Sequence, residues 1–309
     1  MTAPGKSHFW WYLTLLSLAA LMWSGQGTAV KFLEAHMGPI AITFVPFYIT
    51  TVLFVPLLIY KRRKNPAAEK PTPGDWGKFV LAGIGGQVLA QLGMTWGILK
   101  SLASNGAILN LFIPIMSAVL ASIMLKERLT LLRIACFVIG LAGVALLSIQ
   151  DFRQSSFGEM KYLEGNALIL AGCLGSSFYN VYCKGLLKRF QEIEILIFSY
   201  ITATLATMPM LVWVEPFHLS AFASFGWRNW LAFAFLVLFM YGASMLLFFH
   251  ALEHLDVTVA SMALYMVPVF GVILAAVMVG ERLGTAALAG AGVVLVSTVL
   301  IMKYDSSAG

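Results

Sequence analysis

The sequence predicts an all-α integral membrane protein of ten transmembrane helices, arranged as two inverted five-helix repeats. Three observations predict it. The 309 residues are 60% hydrophobic and only 11% charged, whereas a soluble domain carries about 25% charged residues; so few charges cannot clothe a surface in water, and lipid must be the solvent. Ten stretches are apolar and long enough to cross a bilayer, which takes about 20 residues. The chain also matches itself. Residues 114–129 read PIMSAVLASIMLKERL, and residues 268–283 read PVFGVILAAVMVGERL. Pro114 and Glu127-Arg128-Leu129 return as Pro268 and Glu281-Arg282-Leu283, each 154 positions on, and self-similarity at this period marks a duplicated unit.

The ten predicted spans cover residues 9–30, 39–60, 77–99, 102–125, 130–149, 163–183, 192–214, 229–250, 257–280 and 285–302, numbered here spans 1 to 10. Strands of a membrane barrel would be about 10 residues long with alternating polarity, which these are not. Span 1 opens on Trp10-Trp11-Tyr12 and offers no small-residue cleavage site, so it reads as a retained helix rather than a signal peptide. Spans 2 and 3 are joined by KRRKNPAAEKPTPGDWGK, the longest polar stretch, which reads as a cytoplasmic loop. With both termini cytoplasmic, fourteen of the 20 Lys and Arg fall on the inner side, as the positive-inside rule requires. The loop at 251–256 supports this least, since it holds Glu253, His254 and Asp256 but no Lys or Arg. Five spans per repeat is an odd number, so the second repeat enters the membrane upside down. The repeats are assigned to 1–154 and 155–309, with the functional site expected near the midplane between them.

The formal charge of +6 comes from basic residues between apolar runs, so it sets orientation in the bilayer and implies no nucleic-acid partner. Trp10, Trp11, Tyr60, Trp76, Trp96, Trp213, Trp227, Trp230 and Tyr304 sit where an interfacial aromatic belt belongs. Gly83, Gly85, Gly86, Gly140, Gly143, Gly172, Gly175, Gly290 and Gly292 mark close helix contacts. Cys136, Cys173 and Cys183 have neither disulfide nor metal-ligand spacing and read as packing residues.

Ten spans, a five-plus-five duplication and two proline–ER helices resemble the drug/metabolite transporter superfamily, and specifically its EamA-type members. Leu21-Met22-Trp23-Ser24-Gly25 and Val30-Lys31-Phe32 in span 1 support the resemblance, which covers the whole chain. Span 2 departs from it: Thr43-Phe44-Val45-Pro46-Phe47 holds no arginine. The resemblance implies export or exchange of small metabolites across a bacterial inner membrane, with relatives that handle amino acids, sugars and amphipathic drugs.

Several residues then become candidates. Pro114 and Pro268 each remove a helical hydrogen bond, and the freed carbonyl needs a partner in lipid; they read as static kinks or as pivots, one per repeat. Glu127, Arg128, Glu281 and Arg282 lie at helix ends, where adjacent residues do not face each other, and read as inter-helix ties at a gate. Few ionisable groups lie mid-span; His250, Glu253 and Lys31 read as solvated helix ends, which weighs against a carboxylate proton relay. Neutral polar and aromatic groups are the candidate solute contacts: Trp23 and Gln26 in span 1, Gln87 and Gln91 in span 3, Asn110 in span 4, Tyr179 and Asn180 in span 6, Tyr241 in span 8 and Tyr265 in span 9. Taken singly, such groups serve inter-helix hydrogen bonds. Taken together they suit a cavity for a small zwitterionic or amphipathic solute, such as an amino acid.

The leading function is therefore a secondary transporter with a small-molecule substrate, without catalytic residues, cofactor or metal, and with export favoured. A transporter of sugars or nucleotide-type metabolites is the nearest alternative. An integral membrane enzyme acting on lipids would need clustered acids, histidines or a metal set, and His8, His36, His218, His250 and His254 form no recognised hydrolase motif. A channel would show a charge ring or filter loop.

Overall fold

In the computed structural model, residues 6–65, 69–101, 103–147, 160–279 and 285–304 are described. Their only regular structure is helical, and the helices fall at the ten expected spans. Spans 2, 6 and 10 are unbroken helices over Pro39–Lys64, Leu163–Leu186 and Thr285–Tyr304, and span 5 is Leu131–Leu147. Span 1 breaks at Gly25 into Lys6–Ser24 and Gln26–Leu33; span 7 breaks at Pro209, between Glu192–Thr207 and Met210–Trp213. Pieces long and apolar enough to cross a membrane occur at Trp10–Leu33, Pro39–Lys64, Pro73–Leu99, Glu192–Trp213 and Trp227–His254.

The two prolines of the repeat act alike. Span 4 runs as Ala103–Leu109 and then Phe112–Met124; span 9 runs as Val257–Met262, a 3₁₀ turn at Ala263–Tyr265, and Met266–Val279. Pro114 and Pro268 are each the third residue of a fresh helical segment, inside a first turn whose N–H groups have no intrahelical acceptor anyway. The carbonyls left near the kink in span 4 find partners, as lipid demands. Asn110 O accepts from Ile113 N at 3.1 Å, Leu111 O from the Tyr265 hydroxyl at 3.3 Å, and Ile113 O from the Ser177 hydroxyl at 3.0 Å. Cys173, expected only to pack, donates its thiol to Leu109 O at 3.5 Å.

Spans 3 and 8 share a second device that the sequence does not announce. Each has a π-helical stretch in its middle, Leu81–Val88 in the first repeat and Leu236–Ala243 in the second. These wider turns are rare and recur at functional sites, and here they occupy matching places.

Packing obeys the duplication. Span 6 lies along spans 3 and 4; its counterpart, span 1, lies along spans 8 and 9. Span 2 packs on 7 and 8, span 7 on 2 and 3, and the pairs 4 with 9 and 5 with 10 meet each other. Exchanging each span with the one five places on leaves this pattern unchanged, as a pseudo-twofold requires. The repeats are interlaced rather than separate: the first helix of each joins the bundle of the other. Small residues choose these partners. A Cβ on Gly93 of span 3 would lie 2.7 Å from Gly172 N and Leu168 O of span 6, so the two backbones approach as only glycine permits.

Candidate functional site

A cavity of about 550 Å³ lies between the bundle of spans 3, 4 and 6 and the bundle of spans 1, 8 and 9. Its volume falls in the range of small-molecule sites. All nine expected solute-contact residues line it: Trp23, Gln26, Gln87, Gln91, Asn110, Tyr179, Asn180, Tyr241 and Tyr265. Pro114 and Pro268 line it too, so each kink bends a wall of the cavity. Gln87 and Tyr241 belong to the two π-helical stretches, which places both irregular segments against the same space.

The polar groups of the lining divide in two. Three of the four tyrosine hydroxyls of the lining are used within the protein: Tyr179 with Ser199 Oγ at 2.9 Å, Tyr200 donating to Tyr241 O at 3.0 Å, and Tyr265 donating to Leu111 O. These bonds hold the rings as walls. By contrast, the amides of Gln26, Gln91 and Asn180 have no hydrogen-bond partner among the described residues. They are half-buried donors and acceptors with capacity to spare. Among the described residues that line the cavity there is no Asp, Glu, Lys, Arg or His.

Sequence reasoning missed Tyr200, Met94, Met240 and Met245, which also line the cavity. Tyr200 was detectable as the one large polar ring inside the apolar run of span 7. The methionines carried no signal, being interchangeable with any core residue, although their flexible thioethers suit a site that adapts to its ligand.

One end of the seam between the bundles is bridged by polar contacts. It lies on the face that carries Lys61, Arg62, Arg133 and Arg189, here termed the basic face. Span 4 ends there in a turn in which Lys126 takes φ 60°, and Glu127 N bonds back to Ala121 O at 3.3 Å. The turn aims the Glu127 carboxylate at the start of span 9, where it accepts from Val257 N at 2.8 Å, Thr258 N at 3.1 Å and the Thr258 hydroxyl at 2.6 Å. A carboxylate at a helix N-terminus satisfies orphan N–H groups and faces the positive end of the helix dipole. Arg133, another residue that sequence reasoning passed over, stands 3.8 Å from Glu127 and bonds Asp256 at 2.5 Å. Lys61–Glu192 at 3.4 Å and Arg62–Glu194 at 2.8 Å tie the repeats on the same face.

The expectation of inter-helix ties thus describes the surroundings of Glu127, while Arg128 is exposed. Glu281 and Arg282 lie outside the described residues. On the opposite face the described polar ties include bonds within one bundle and between spans 2 and 7. Asn229 donates to Phe32 O at 2.5 Å, Lys100 pairs with Glu164, and Glu215 accepts from Ile40 N at 3.1 Å and Ala41 N at 2.9 Å.

Comparison with known proteins agrees with this geometry. A probable terminal-alkyne amino-acid exporter of Streptantibioticus cattleyicolor is 24% identical over 76% of this chain and 76% of its own. An S-adenosylmethionine uptake transporter of Rickettsia conorii is 21% identical over 97% of this chain and 93% of its own. A solved crystal structure shares the fold with a TM-score of 0.77 at 19% identity, covering 94% of this chain and 96% of the other. Residues 10–149 and 163–303 each match the EamA-like transporter family. The chain is an integral membrane transporter, not an enzyme, and it belongs to the EamA-like transporter family.

Proposed function

We propose that this transporter moves small neutral or zwitterionic solutes, amino acids or related amphipathic molecules, by alternating access through the cavity between its two bundles. The observation that carries the reading is the lining itself: unpaired neutral amides among aromatic walls, with no ionisable acid or base among the described residues. A solute with net charge would enter a low-dielectric site without a counter-charge, which is costly. A zwitterion brings its own compensation, its polar ends take the amides, and its apolar part packs on the rings. The name of the exporter among the relatives specifies an amino acid, which supports the same class; S-adenosylmethionine also carries an amino-acid group but adds a sulfonium charge. The directions of the two relatives differ; export remains the favoured direction here.

In this reading the Glu127 clasp and the Arg133–Asp256 pair hold the basic-face end shut, and the cavity communicates with the opposite side. Pro114 and Pro268 are the pivots about which the bundles rock. The concentration of Lys and Arg on the clasped face supports both termini being cytoplasmic, in a bacterial inner membrane.

Counterflow in liposomes tests the proposal. Vesicles that hold purified protein and an unlabelled neutral amino acid are expected to accumulate the labelled form transiently. Flux of a sugar or a nucleotide with none of any amino acid would reject the substrate class.

A further inference from the structure

We propose that the end of span 8 forms a binding site for a transition-metal dication, Zn²⁺ or Ni²⁺, built from His250, Glu253 and His254. The sequence reading left these residues as a solvated helix end, but the structure organises them more tightly. They sit on the last turn of Ser244–His254, and one ligand atom from each lies within 4.8 Å of the others. Histidines four apart on a helix present their rings on one face, the spacing by which helices hold zinc. Two ligands at about 2.1 Å in a tetrahedral site stand roughly 3.4 Å apart, so a side-chain adjustment of about 1 Å completes the set. Three protein ligands leave a fourth position for water.

A second observation points to a metal independently of the cluster. His250 Nδ1 lies 2.9 Å from Glu192 Oε1, and His254 Nδ1 lies 3.0 Å from His250 O. Both partners are acceptors, so in the neutral rings each Nδ1 carries the proton and each Nε2 presents a lone pair. The carboxylate behind His250 is the outer partner that metal-bound histidines regularly have, fixing the tautomer and raising the basicity of the ligand. The His254 ring is further held by stacking on Tyr12, centroids 5.2 Å apart. The site remains accessible: His254 is exposed, and the His250 side chain is 42% exposed. Neighbouring cations do not occupy it. Lys61 pairs with Glu192 at 3.4 Å, and the Lys184 ammonium bonds the carbonyls of Leu252 and Glu253 at 2.6 and 3.0 Å. Imidazole with one carboxylate favours Zn²⁺ and Ni²⁺ over Mg²⁺ or Ca²⁺, which take oxygen donors.

Titration of tag-free, detergent-solubilised protein with Zn²⁺ against a chromophoric chelator at pH 7.5 tests the proposal. One equivalent per chain is expected. His254→Ala, at an exposed position that folding tolerates, should lose at least tenfold in affinity, and His250→Ala likewise. Glu192→Gln removes no ligand and should weaken binding about 10- to 100-fold through the orientation of His250. His218→Ala, on the opposite face, should bind as the parent does. Failure of the parent to bind one equivalent, or undiminished binding by the His250→Ala/His254→Ala double variant, overturns the site. Neither outcome depends on what solute the cavity carries.

Discussion

The clasped end of the seam between the bundles and the cavity beside it are built from different chemistry. At the basic face, the bundle of spans 3, 4 and 6 meets the bundle of spans 1, 8 and 9 through Glu127 and the first N–H groups of span 9. There carboxylates and guanidinium groups do the joining. In the cavity, neutral amides and rings face one another across open space. Toward the opposite face, the described polar ties include bonds within one bundle and between spans 2 and 7. Charge is thus spent where the bundles must lock, near the headgroups, where it costs little. It is withheld where a solute must enter and leave. A transporter needs a lock that can be undone, and charge-assisted bonds at a wet interface have that property: water can replace their partners.

The largest expected effect comes from breaking the clasp. Glu127→Ala leaves the start of span 9 uncapped and deprives the nearly buried Arg133 of a counter-charge; loss of one partner of a buried pair costs about 3 kcal/mol. Thermal unfolding in detergent reads this, and Glu127→Gln, which still accepts hydrogen bonds, should lose about half as much. Next is the approach within one bundle. Gly93→Ala drives a methyl into the backbone of span 6 and should cost about 2 kcal/mol by overpacking. Gly27→Ala, where a Cβ meets nothing within 4 Å, should be neutral. Third, Gln91→Ala and Asn180→Ala should each weaken the solute about tenfold, the effect of one lost hydrogen bond to a polar ligand, with the melting temperature unchanged. Smallest is Lys100→Met: its pairing with Glu164 is exposed, and such pairs contribute at most about 1 kcal/mol. A clasp variant that melted no lower than Lys100→Met would remove the distinction between the clasp and an ordinary exposed pair.

Much of this was legible in the sequence because lipid leaves few choices. Spans must be helical and about 20 residues long, so their number and places followed from apolar runs. The nine cavity residues were legible for a related reason: a neutral polar group such as Gln91 or Asn180, mid-span, has no use facing lipid. The choice of helix partners was not legible. Spans of similar composition compete, and the interlacing of the first helix of each repeat is decided by the fit of Gly93 against Gly172, which is a property of surfaces. The π-helical stretches were hidden because a shift of hydrogen-bond register leaves composition untouched. Glu127 was expected to tie helices, but that it caps span 9 depends on the left-handed turn at Lys126, where the second copy has Gly280. Arg133, three residues into span 5, looked like one more interfacial cation.

The central claim is that the neutral cavity is where the solute binds. Its most direct test is the accessibility of a single cysteine placed there, Asn180→Cys, in a background where the three buried native cysteines are replaced. A membrane-impermeant thiol reagent applied from the side opposite the basic face should label it, and a saturating transported solute should slow labelling at least tenfold. Labelling at the same rate with and without a solute that the protein demonstrably carries would contradict the account.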